Sequence, residues 1–330
     1  MTLEVSLWAT GSLASDAEAM DLTPGAQTPH RSGFVALIGR PNVGKSTLVN
    51  QLVGDKVAIT SPVAQTTRNR LRAILTTPEA QLILVDTPGI HKPHHLLGER
   101  LVQSARSAIG EVDLVLLLLE GCVAPGRGDA FIIQLLQQQR LPVLVVLNKW
   151  DRVPAERRPE ADLAYRELLE TTDWPVHHCS ALSGAGCPEL VQAIAARLPE
   201  GPQLYPADMV SDQPERLLMA ELIREQVLTH TREEIPHSVA VQIDRVDAMP
   251  SKGKGKPRTA VLATVLVERK SQKGILIGKG GAMLKTIGQG ARLQMQTLID
   301  GPVYLELFVK VVPDWRSKPA RLAELGYGVE

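Results

Sequence analysis

Gly39-Arg40-Pro41-Asn42-Val43-Gly44-Lys45-Ser46 follows an apolar run, Phe34 to Ile38, and leads into a stretch with helical patterning. The spacing is G-x-x-x-x-G-K-[ST], and strand, loop and helix form the context in which that pattern wraps a phosphate. Gly39 and Gly44 let the backbone close around an anion. The amides of Asn42 to Thr47 then offer donors at a helix N-terminus, Lys45 bridges β- and γ-oxygens, and the Ser46 hydroxyl is placed to hold magnesium.

Outward from this loop, strand-like runs at Leu82 to Val85, Val112 to Leu119, Pro142 to Leu147 and Val176 to Cys179 alternate with helical stretches such as Leu97 to Ile109. The alternation predicts an α/β domain with a mixed, mostly parallel six-stranded sheet covered on both faces. Leu71 to Thr76 stands too near the next strand for a helical crossover, so it is expected to pair antiparallel with Leu82 to Val85. The domain is expected over residues 31–198, after an extension at 1–30 read as flexible. A proline-bearing linker at 199–213 leads to a second domain at 214–330.

A phosphate loop alone serves kinases, ATPases and GTPases, and the other strand ends choose among them. Asp86-Thr87-Pro88-Gly89 leaves the strand at Leu82 to Val85, where Asp86 can reach magnesium and the Gly89 amide can sense a γ-phosphate. Between the two motifs, Gln65-Thr66-Thr67-Arg68 offers Thr67 to the metal and the γ-phosphate in the triphosphate state; loss of that phosphate would release the segment. Asn148-Lys149-Trp150-Asp151 reads guanine. A carboxylate at Asp151 can accept from both N1–H and the exocyclic amine, which adenine does not present together. Asn148 braces the loops, Lys149 lies along the base, and Ser180-Ala181-Leu182 is expected to aim the Ala181 amide at guanine O6. The ligands expected are GTP or GDP with Mg²⁺, and the residues acting on the γ-phosphate are Lys45, Thr67 and Gly89.

After Gly89 comes Ile90, which cannot orient a water molecule as a glutamine would. Slow intrinsic hydrolysis is therefore expected, helped by a partner or by potassium near Asn42. His91, His94 and His95 crowd the same loop and read as a solvated segment.

Beyond the linker the order is helix, two strands, two short helices around a glycine-rich turn, then the strand Val303 to Val312 and a last short helix, an α+β pattern. Gly278-Lys279-Gly280-Gly281 is a G-x-x-G between the two helices, the loop with which a KH domain clamps a nucleic-acid backbone. Residues 251–292 hold ten Lys or Arg, Lys279 and Lys285 among them, against the single acid Glu268. That sign favours RNA through counterion release.

Composition sets the outer limits. The chain of 330 residues carries 36 basic and 36 acidic side chains, 44% hydrophobic residues and three cysteines without C-x-x-C spacing. No apolar run approaches the roughly 20 residues of a membrane span, and neither a disulfide framework nor a zinc site is suggested. Residues 1–30 contain four acids and no Lys or Arg, contrary to a targeting leader, so a reducing cytoplasm is expected.

The motifs GRPNVGKS, QTTR, DTPG, NKWD and SAL, followed by ILIGKGG and VYLELFVKV, closely resemble those of the Era family of bacterial GTPases from Gly33 to Tyr327. The resemblance implies a type II KH domain behind the GTPase domain. It also implies a monomer that binds near the 3′ end of small-subunit (16S) ribosomal RNA during 30S assembly, and peripheral association with the inner membrane. Two departures stand out: the acidic extension before Arg31 and the lysine-glycine insert Ser251 to Pro257, expected to form a hairpin tip. GTPases of tRNA modification or metal transport share the first domain's motifs; the basic G-x-x-G segment separates this chain from them. A non-enzymatic RNA-binding module or a P-loop ATPase or kinase would share parts of the pattern. Lys45, Ser46 and Asp86 speak against the first of these, and Asp151 against both.

Overall fold

The computed structural model describes residues 29–63, 66–91, 95–233, 235–249, 257–299 and 301–327. The acidic extension, apart from its last two residues, and the lysine-glycine insert, apart from Pro257, lie outside the described residues, as do Gln65 and His94.

The first domain is built on six strands: β1 (Arg31–Ile38), β2 (Leu71–Thr76), β3 (Ala80–Asp86), β4 (Leu114–Glu120), β5 (Val143–Asn148) and β6 (Val176–His178). They lie in the order β2-β3-β1-β4-β5-β6, parallel throughout except for the antiparallel β2–β3 pair. Alternate residues of each strand serve different cores. Val35 and Leu37 of β1, with Leu114, Leu116 and Leu118 of β4, face α1 (Lys45–Val53) and α5 (Cys187–Ala195). Ala36, Ile38, Val115, Leu117 and Leu119 face α2 (Leu96–Ile109), α3 (Arg127–Gln137) and α4 (Arg158–Leu168). Burial on both faces explains why these strands read as continuous apolar runs, each large side chain contributing about 1.5–3 kcal/mol. Because β1, β3, β4 and β5 run the same way, their carboxyl ends open at one edge and deliver Gly39, Asp86, Glu120 and Asn148 side by side.

The second domain follows as α6 (Glu215–His230), α7 (Ile235–Ser238), β7 (Ala240–Met249), β8 (Arg258–Val267), α8 (Lys270–Ile277), α9 (Ala282–Ile299), β9 (Val303–Val311) and α10 (Pro319–Glu324). Its sheet has the order β7-β8-β9, with β7–β8 antiparallel and β8–β9 parallel. One face of that sheet buries Val261, Ala263 and Val265 against Ile223 and Val227 of α6 and Ile287, Ala291 and Met295 of α9. The second of the two expected short helices is in fact α9, of 18 residues. Gly288 and Gly290 weaken its propensity by about 1 kcal/mol each and read as a break. Packing overrides that cost: α9 lies so close to α6 that a Cβ at Gly290 would come within 2.1 Å of Gln226 Oε1.

The segment between the domains is strapped along the first one. Ser32 donates to Pro199 O, Gln81 Oε1 accepts from the Leu204 and Tyr205 amides, Ile74 donates to Val210 O, and Arg72 pairs with Asp212 at 3.1 Å. Its proline and polar composition signals a connection; the hydrogen bonds that anchor it come from residues well over a hundred positions earlier.

Candidate functional site

The loop between β1 and α1 surrounds one wall of a cleft of about 550 Å³, shared with Thr66, Thr67, Gly89 and Lys149. Gly89 approaches the loop so closely that a Cβ there would stand 2.6 Å from Pro41 N, and the Ile90 amide donates to Gly39 O at 3.1 Å. The DTPG turn and the phosphate loop are thus seated on each other.

Three oxygens from three separate motifs converge. Ser46 Oγ donates to Asp86 Oδ2 at 2.6 Å, Thr67 Oγ1 donates to the same atom at 3.0 Å, and the two hydroxyls are 2.9 Å apart. Neighbouring corners of a magnesium octahedron, each about 2.1 Å from the ion, are about 3 Å apart, so this spacing suits Mg²⁺. Among the described residues nothing hydrogen-bonds to the buried Asp86 Oδ1, which gives the site an acceptor for a metal-bound water. When bound, magnesium would neutralise charge developing on β- and γ-phosphate oxygens.

Lys45 is buried, its ammonium donating to Gly39 O at 3.3 Å and Arg40 O at 3.0 Å. Burial lowers its pKa to about 8, with the Asp86 charge opposing the shift. Burial likewise pushes the Asp86 carboxyl up, against Lys45 and the Ser46 and Thr67 hydroxyls. Among the described residues Lys45 donates to carbonyls and Asp86 accepts from hydroxyls, with no ion pair to either, the condition in which a triphosphate and its cation are welcome.

At the other end of the cleft, Asn148 joins two loops: Nδ2 donates to Val43 O at 2.8 Å and Oδ1 accepts from Ala181 N at 2.9 Å. The buried Asn148 carbonyl thus has the Ala181 amide as its donor. Ser180 is buried and closes its loop through Ser180 N to Ala185 O, whereas Leu182 is 80% exposed. Lys149 is held in the left-handed region at φ 61°, its ammonium donating to Asn42 O at 2.7 Å and Glu120 Oε1 at 2.8 Å. Asp151 is exposed, and among the described residues nothing donates to its carboxylate, so both oxygens are open to a guanine edge.

Asn42 Nδ2 donates to Pro62 O at 2.8 Å. Thr47 lines the cleft in the first turn of α1. Ile90 turns away from the cleft into the core with Ile38 and Val85. Thr60, Ser61, Pro62 and Glu120 also line the cleft, unforeseen from sequence. Glu120 ends a parallel strand and was findable by that rule; Thr60 to Pro62 carry no pattern that marks them.

In the second domain Gly278, Lys279, Gly280 and Gly281 form the turn between α8 and α9. Gly278 is fixed by packing, since a Cβ would meet Met283 Cβ at 2.8 Å. Gly280 and Gly281 hold φ 58° and 82° and face open space, which leaves bare backbone at the surface. Lys279 in the turn, Lys285 in the first turn of α9 and Arg292 further along that helix are exposed and, among the described residues, form no ion pair.

Residues 34–149 match the family described as 50S ribosome-binding GTPase, and residues 234–316 match the KH domain family. GTPase Era of a Nostoc species is 56% identical over 330 residues, covering the whole of both chains. The chain belongs to the Era family of GTPases. GTPase Era of Heliobacterium modesticaldum is 50% identical over 298 residues, covering 90% of this chain and 97% of its own. A crystal structure of Era in complex with MgGDPNP and nucleotides 1506–1542 of 16S ribosomal RNA superposes with a TM-score of 0.86 at 40% identity, over 91% of this chain and all of that one. An Aquifex aeolicus Era variant bound to GDP and aluminium fluoride gives 0.85 at 39% identity, with the same coverage. The Era resemblance, the mostly parallel GTPase sheet and the KH domain read from the motifs are all borne out.

Proposed function

We propose that this chain hydrolyses GTP with magnesium at the cleft formed by Lys45, Ser46, Thr67, Asp86 and Gly89, reads guanine through Asp151, and holds small-subunit ribosomal RNA at Gly278 to Gly281 and Lys285. In this reading it acts in the cytoplasm during assembly of the small ribosomal subunit, with residues 31–198 and 214–330 as the two working parts. The observation that carries the RNA assignment is the bare, positively flanked backbone at Gly280 and Gly281. The left-handed backbone of the turn favours glycine at both positions, and the absence of side chains leaves room for a phosphate backbone to approach closely. The relative solved with 16S nucleotides supports the choice of RNA.

The test is a mobility shift with a short RNA carrying the 3′-terminal sequence of the small-subunit rRNA and with a scrambled RNA of equal length, in the presence of magnesium and a non-hydrolysable GTP analogue. Preferential retention of the 3′ sequence is expected. Equal retention of both would remove the rRNA assignment.

A further inference from the structure

Two buried arginines and a buried glutamate lie between the domains, where none of them touches the nucleotide cleft directly. Arg68 is 2% exposed, and its guanidinium donates to Val239 O at 2.5 Å and Pro236 O at 3.0 Å in the second domain. Arg224 of α6 is fully buried; it pairs with Glu221 at 2.5 Å and donates through Nη2 to the Thr66 carbonyl. Glu225, one residue on, accepts from the Thr60 amide at 2.9 Å and from Lys56 Nζ at 2.5 Å. Buried charges are costly unless satisfied, and here Glu221 of the same helix serves Arg224 while the remaining bonds of Arg68, Arg224 and Glu225 named above cross the domain boundary.

The consequence lies in the backbone. Thr66, Thr67 and Arg68 are consecutive: the carbonyl of the first is held by Arg224, the hydroxyl of the second faces Ser46 and Asp86, and the guanidinium of the third is buried in the second domain. A hydroxyl poised within 3.0 Å of its partner needs neighbours that fix its backbone, because displacements of about 1 Å are enough to spoil such a site. Glu225 also accepts from Gln294 Nε2 at 2.7 Å, and Gln294 lies on α9, the helix that begins at the G-x-x-G turn.

We propose that Arg224 and Glu225 are positioning residues for GTP hydrolysis: they hold the backbone at Thr66 and Thr60 so that the Thr67 hydroxyl faces the magnesium site. The second domain is then part of the GTPase machinery in the same chain. The inference rests on the GTPase reading above. GDP affinity provides a separate check of the nucleotide site, since the threonine contact belongs to the triphosphate state.

The experiment uses the full chain and measures phosphate release against GTP and against magnesium for the parent, Arg224→Met, Arg224→Lys and Glu225→Gln, alongside GDP affinity and thermal melting. Losing a hydrogen bond from a charged donor is expected to lower kcat about tenfold in Arg224→Met and to raise the magnesium needed for half-maximal rate, with GDP affinity kept within about twofold. Arg224→Lys should recover part of the rate, because an ammonium can still donate to one carbonyl. Glu225→Gln should move the rate in the same direction by a smaller factor. A folded Arg224→Met with parental kcat and magnesium dependence overturns the proposal, as does a variant whose melting temperature alone falls. If Arg224→Met does not fold, Glu225→Gln decides: parental magnesium dependence there overturns it equally. A parent that binds GDP but releases no phosphate from GTP would sink the GTPase reading and this inference with it.

Discussion

Thr67 Oγ1 donates to Asp86 Oδ2 across 3.0 Å, joining a segment with no regular structure to the end of a fully buried strand. The bond has the right partners for a shared cation, and in the proposed reading Thr67 meets that cation in the triphosphate state. Thr67→Ala should lower GTP hydrolysis about tenfold or more while GDP affinity changes by less than about threefold. Parallel loss of both, in phosphate release and in GDP titration, would place Thr67 in general nucleotide binding instead.

Asp151 presents an exposed carboxylate to which no described residue donates. Asp151→Asn should weaken GTP and improve xanthosine triphosphate, because an amide can donate to the xanthine oxygen. Each mismatched polar contact costs about 1–3 kcal/mol, so competition binding should show at least about a fivefold loss for GTP. A change below that would count against Asp151 as the guanine reader.

Ile90 is sequestered in the core and supplies nothing to an attacking water, while Asn42 Nδ2 is engaged with Pro62 O and its Oδ1 accepts no hydrogen bond among the described residues. That free carbonyl oxygen suits a monovalent cation. Hydrolysis should run faster in potassium than in sodium at equal ionic strength, and Asn42→Ala should erase the difference. Equal rates in the two salts would remove potassium and leave the GTPase intact.

Lys45 has its pKa lowered by burial from the ordinary 10.5 to about 8. Phosphate favours the protonated form, so the affinity for GDP should weaken about fivefold from pH 8 to pH 9, as that form becomes scarce. The fold without nucleotide behaves oppositely. Between about 8 and 10.5 the unfolded chain binds the extra proton, so the stability contributed by this group rises with pH across that window and is lost as pH falls toward 8. A GDP affinity that stays level across these pH values would show that Lys45 keeps its proton without the ligand.

Much of the nucleotide site is legible in the sequence because the motif residues sit at strand ends, where backbone direction alone brings Gly39, Asp86 and Asn148 together. The antiparallel β2 is equally readable, since the three residues between Thr76 and Ala80 leave no room for a crossover helix. The rest depends on tertiary partners. Arg68, Arg224 and Glu225 look in sequence like solvated charges, and only the facing domain shows that they are buried. The length of α9 is hidden by Gly288 and Gly290, whose place is set by the proximity of α6. The SAL motif marks its loop and carries no sign of the hydrogen bond from the Ala181 amide to the Asn148 carbonyl.

The proposed function puts the nucleotide in the first domain and RNA on the G-x-x-G turn of the second. A salt titration of binding to a 3′-terminal fragment of small-subunit rRNA, by the parent and by Lys279→Asp with Gly280→Asp, separates the two roles. Space around Gly280 is open and aspartate tolerates its φ of 58°, so the variant should fold and bind GDP as the parent does. RNA affinity should fall about tenfold or more, with a shallower dependence on salt, because lost phosphate contacts release fewer counterions. A variant that holds the RNA as tightly as the parent at every salt concentration would overturn this division, and the second domain would have to be assigned to a protein partner.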